Sequence, residues 1–162
     1  VTDERFPAAV AEALGAAGWR PGRRDETLAR DLGLAVAGYA TPDGRQHVVV
    51  PAAIEAYAEF GGLRVTPVGD GERVAPSAVD LDPRRALPAV RTLAGLAEVL
   101  GGPLSPLGVE GDNVGILAVG GSGRVFLLDH TAEWFAGESV AAALTALLSG
   151  HELARIAEDG TW

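Results

Sequence analysis

Apolar residues recur at helical spacing in five stretches of the chain. Phe6, Val10 and Leu14 fall every four residues and make one stripe. Thr2 or Asp3 caps this first helix, Pro7 sits in its opening turn and Gly18 ends it, with Trp19 directly after. Leu28, Leu32 and Val36 mark a second helix over about Asp25 to Tyr39, weakened by Gly33 and Gly38. Ile54, Tyr57 and Phe60 follow Pro51, and Gly61 and Gly62 stop that helix. Val90, Leu93, Leu96, Ala97 and Leu100 show clear helical spacing, closed by Gly101. Val140, Leu144, Leu147 and Leu148 mark a last helix over about Ser139 to Leu148, ended by Gly150.

Between the helices the period shifts toward two. Val48 to Val50 fits a short strand or the lead-in to the helix at Pro51. Leu63 to Val68 reads as an imperfect strand, Gly69-Asp70-Gly71 as a hairpin turn, and Arg73 to Leu81 as a returning strand broken by Pro76. Gly102 to Gly108 reads as a proline- and glycine-rich loop. Val114 to Val119 and Arg124 to His130 are the best strand pair, joined by Gly120 to Gly123. The tail from His151 to Trp162 reads as partly loose. Helices and antiparallel hairpins in separate runs predict an α+β fold.

The chain has 162 residues, 48% of them hydrophobic and 22% charged, which suits a single domain (1–162) with a core over about 6–150. The formal net charge is −9. An acidic surface repels phosphate backbones, so direct nucleic-acid binding is not expected, and a basic protein partner suits it better. Solubility alone also explains such a charge. No cysteine is present, which excludes disulfides, a thiol nucleophile and a thiolate metal site. The start carries Asp3 and Glu4 rather than a basic region before an apolar run, and the longest apolar run, near Val140 to Leu148, is far short of the about 20 residues a span needs. A cytoplasmic protein without membrane attachment is expected.

Several fragments imitate catalytic motifs without completing them. His151-Glu152-Leu153-Ala154-Arg155 begins like a zinc-protease helix, but Arg155 stands where the second histidine belongs. Gly120-Gly121-Ser122-Gly123 lacks the second elbow glycine, since Arg124 follows. The glycine-rich stretches have no Walker lysine. Asp80 and Asp82, alternating on a strand, point two carboxylates to one face, as a divalent site or as a solvated strand end. Asp129, His130 and Glu133 cluster after a strand, as a general base and ligand set or as a polar strand exit. Trp134 and Phe135 follow them, as core residues or as an aromatic anchor in a protein interface ringed by carboxylates. No catalytic, cofactor or metal residues are assigned. The candidate partner-binding residues are Asp129, Glu133, Trp134 and Glu138, with Asp80 and Asp82 as a second patch.

Five segments taken in order carry a resemblance: Ala17-Gly18-Trp19-Arg20-Pro21-Gly22-Arg23; Glu59-Phe60-Gly61-Gly62-Leu63; Asp82-Pro83; Leu104-Ser105-Pro106-Leu107-Gly108; and Gly123-Arg124-Val125-Phe126 leading to Trp134. From Phe6 to Gly150 the chain resembles the third family of the SUKH superfamily. The resemblance implies a central, largely antiparallel sheet flanked by N-terminal and C-terminal helices. It implies an immunity protein of a bacterial polymorphic toxin system, encoded beside its toxin. Such a protein binds its toxin, commonly a nuclease or nucleic-acid deaminase, and covers the active site. It implies no enzyme activity and no cofactor. A regulatory or scaffold binding module on the same fold is the second reading.

Overall fold

A computed structural model describes residues 3–112 and 114–162. Thr2 lies outside them. Five α-helices and seven strands are present among these residues: α1 (Ala8–Ala16), α2 (Glu26–Gly38), α3 (Pro51–Phe60), β1 (Arg64–Val65), β2 (Val79–Asp80), α4 (Val90–Leu100), β3 (Leu104–Glu110), β4 (Gly115–Gly120), β5 (Val125–Leu128), β6 (Glu133–Gly137), α5 (Val140–Ser149) and β7 (Ala154–Arg155). A 3-10 helix, Pro83–Ala89, runs into α4. The strands form one sheet in sequence order, and every neighbouring pair is antiparallel. The fold is α+β.

The helices follow the apolar stripes, and two of them, α2 and α5, carry side-chain caps. Asp25 accepts a hydrogen bond from the Leu28 N–H at 2.9 Å and so caps α2. Ser139 does the same for α5, accepting from Ala142 N–H at 3.1 Å. Gly101 and Gly150 close α4 and α5 in the left-handed region, at φ 75° and 69°. The first helix differs from expectation. It starts at Ala8, with Pro7 before it, and Asp3 instead accepts from Arg5 N–H at 2.9 Å in a turn outside the helix.

Alternation along β3 to β6 divides the core into two layers. On one face Leu107, Leu117, Val119, Val125 and Leu127 pack under α1, α3 and α5. Trp19 closes this layer, edge-on to Phe6 at 5.4 Å and stacked on Phe60 at 6.4 Å. On the other face Leu104, Ala118, Phe126 and Leu128 pack against Leu93 and Leu96 of α4.

The structure departs from the sequence pattern in four places. Gly102 to Gly108 is largely strand: β3 lies in the middle of the sheet, paired with β2 and β4, with a register shift between Pro106 and Gly108. Its alternation was invisible because Leu104 to Val109 are all buried, including Ser105, which accepts from Val50 N–H at 2.8 Å and donates to Val48 O at 2.7 Å. Those bonds hold Val48 to Val50 as an extended lead-in to α3. Leu63 to Leu81 is no tight hairpin. Pairing is confined to the two ends, Leu63–Val65 with Val79–Leu81, and the segment between them travels to the end of α5. Residues 133–137, read without a secondary structure, are β6. The tail is not loose: β7 pairs with β6, Ile156 is buried, and Trp162 stacks on Phe135 at 4.5 Å.

Candidate interaction site

Asp129 directly follows β5 and organises the turn into β6. Its carboxylate accepts from the backbone N–H groups of Thr131 (2.7 Å) and Ala132 (3.0 Å), from the Thr131 hydroxyl (2.5 Å) and from the Trp134 indole N–H (3.2 Å). Only a short side chain with two acceptor oxygens reaches donors so near in the chain. Burial pushes this carboxyl up, but the four donors outweigh burial and hold its pKa below the ordinary carboxylate value.

Trp134 lies opposite Leu127 in β6, so its ring joins the layer beneath α5. Glu133 lies opposite Leu128 and therefore points to the other face. Beside Trp134 opens a cleft of about 440 Å³, lined by Leu127, Trp134, Ala146, Leu147 and Leu153 together with the carboxylate residues Glu110, Asp129 and Glu152. The long segment after β1 supplies a further wall. Glu72 N–H donates to Ser149 O at 2.8 Å, Arg73 and Val74 N–H both donate to Gly150 O at 2.9 Å, and Ser77 N–H donates to Leu147 O at 2.9 Å. Together they satisfy carbonyls that the end of a helix leaves open. Gly150 is required there, because a Cβ would stand 2.1 Å from Val74 O.

Other clefts differ in charge. One of about 620 Å³ is lined by Arg5, Arg23 and Arg24, and one of about 410 Å³ beside α2 and α3 by Arg24 and Arg30. No arginine lines the Trp134 cleft. Its His151 ring lies 3.2 Å from Glu72.

The structure thus brings Asp129 and Trp134 together and separates the remaining candidates. Glu138 stands beyond the far end of β6, paired with Arg124 at 2.9 Å. Asp80 pairs with Arg85 at 3.4 Å in β2, while Asp82 lies past the strand, caps the 3-10 helix and pairs with Arg84 at 2.8 Å. Asp82 is partly buried, which pushes its carboxyl up, yet the Arg84 contacts hold it below the ordinary value. Sequence reasoning misses Glu110, which ends a strand that resembles a loop, and Glu152, whose sequence neighbours suggest only an incomplete zinc motif. The three histidines lie apart. His47 is buried with its Nε2 2.8 Å from Leu87 O, and burial pushes its pKa down, His130 is exposed, and His151 meets Glu72. Among the described residues no three His, Asp or Glu side chains are grouped to hold a metal ion.

A model of the SUKH-3 immunity protein family matches residues 6–150. The chain belongs to the SUKH-3 family. No curated protein and no solved structure matches it. In this SUKH-3 chain the segments that carried the resemblance are folding residues. Gly61 admits no side chain, since a Cβ would stand 2.3 Å from Tyr57 O, and Gly62 has φ 76°. The family match includes Glu110, Asp129 and Trp134 and ends at Gly150, just before Glu152 and Leu153. No helix among the described residues is long and apolar enough to cross a membrane.

Proposed function

We propose that this SUKH-3 protein is the cytoplasmic immunity partner of a basic protein toxin encoded beside it, and that it acts by binding over the toxin's active site without catalysis. The observation that carries the reading is the SUKH-3 family match across residues 6–150. The net charge of −9 supports it. A nuclease or nucleic-acid deaminase holds a positive cleft for phosphate. A carboxylate-rich protein enters such a cleft and is steered toward it at long range.

The proposed contact surface centres on Asp129 and Trp134, where an aromatic ring and a carboxylate share one cleft. Glu133, Glu138, Asp80 and Asp82 lie around the molecule rather than at one spot. Their proposed part is in steering more than in a common anchor.

The test is co-purification of the tagged protein with the product of the adjacent gene, at low and high salt. A tight complex that weakens as salt rises is the expected result. Absence of a complex at both salt concentrations overturns the reading and turns the search toward a regulatory partner.

A further inference from the structure

The Trp134 cleft differs from the other clefts in a way that selects its occupant. Its walls are mainly apolar, from Leu127, Trp134, Leu147 and Leu153. The same lining holds the carboxylate residues Glu110, Asp129 and Glu152, with His151, which meets Glu72, and no arginine. Among the described residues the carboxylates of Glu110 and Glu152 take part in no hydrogen bond or ion pair. Several acidic side chains elsewhere are matched by arginine: Glu55 and Glu26 by Arg24, Glu59 by Arg5, Glu138 by Arg124.

Apolar walls with negative charge suit one kind of side chain. It needs a long aliphatic stem to cover Leu127 and Leu147 and a cationic head for the carboxylates. A guanidinium meets this best, because its planar fork pairs with carboxylates and its face lies on an indole. We infer that the cleft receives an arginine side chain of the protein partner, with Trp134 against the guanidinium and Glu110 and Glu152 as its counter-charges. This rests on the immunity reading for the identity of the partner, and the cleft's preference for arginine is measurable without it.

The first arm is an NMR titration of the full chain with N-acetyl-arginine amide and, as a neutral isostere, N-acetyl-citrulline amide. Expected are shifts of the Trp134 indole N–H and of the Leu127, Leu147 and Leu153 amides with the arginine compound only. In the Glu110→Gln/Glu152→Gln variant the arginine dissociation constant should rise at least threefold. Equal response to both compounds, shifts confined to other sites, or an unchanged constant in the variant overturns the inference. The second arm compares wild type and this double variant for binding to the adjacent gene product, where a loss of about tenfold in affinity is expected. A toxin that binds both equally well overturns the cleft assignment and leaves the immunity reading standing. An arginine response in the cleft with no toxin bound by wild type does the opposite.

Discussion

The indole of Trp134 donates to the carboxylate of Asp129 at 3.2 Å, across the turn that joins β5 to β6. The same carboxylate takes three donors from Thr131 and Ala132. One aspartate therefore sets both the turn and the orientation of the ring that lines the cleft. Asp129→Asn keeps the shape but removes the charge and one acceptor oxygen. It should cost about 1–2 kcal/mol, by analogy with hydrogen bonds to charged groups at partly exposed sites. Denaturant unfolding at neutral pH measures it.

The same residue gives a pH dependence. The folded-state pKa of Asp129 is lowered, so its contribution is fully present above the unfolded value of about 3.9. It is lost as pH falls through the folded value. The stability difference between wild type and Asp129→Asn should therefore shrink as pH is lowered below about 4. A difference that stays constant from pH 7 to pH 3 contradicts the assignment.

Gly150 and Gly101 separate two costs of a side chain. Both have positive φ, but a Cβ at Gly101 meets nothing within 4 Å, whereas at Gly150 it stands 2.1 Å from Val74 O. Gly101→Ala should cost about 1 kcal/mol from backbone strain alone. Gly150→Ala should cost clearly more, and it should loosen the wall of the cleft from Glu72 to Ser77. Hydrogen exchange at the Arg73, Val74 and Ser77 amides reads that loosening directly.

Ser105 lies fully buried in β3 and bridges Val48 and Val50. Ser105→Ala leaves a buried N–H and a carbonyl without that partner, at about 2–3 kcal/mol. For a domain of this size the midpoint of thermal unfolding should fall by about 4–12 °C, at roughly 2–4 °C per kcal/mol. Ser105→Thr, which keeps the hydroxyl, tests whether packing rather than bonding sets the loss.

Trp162 stacks on Phe135 at 4.5 Å and lies edge-on to Phe126 at 6.0 Å. It is 44% exposed, so Trp162→Ala should cost only about 1–2 kcal/mol, mostly from the lost aromatic pairs. Because Phe135 lies on the face opposite the Trp134 ring, this change should leave toxin binding intact.

The helices were legible because apolar stripe and stop signal coincided. Pro51 opens α3, and Gly101 and Gly150 close their helices as expected. The pair β4 and β5 was legible from continuous apolar runs around a glycine turn. β3 was not, because burial on both faces removes alternation, and Pro106 and Gly108 imitate a loop. The tail was not legible either. Its order comes from Phe135 and β6, distant in sequence, rather than from its own residues. At the cleft, Asp129 and Trp134 could be read from their short spacing. Glu110 and Glu152 could not, since only the sheet and the end of α5 bring them near.

The most direct measurement is survival of bacteria that express the neighbouring toxin, with and without this protein. Cells should die without it, survive with it, and lose much of that protection when Glu110→Gln and Glu152→Gln are combined. Equal death with and without the wild-type protein, at matched expression of both chains, contradicts the claim that it confers immunity.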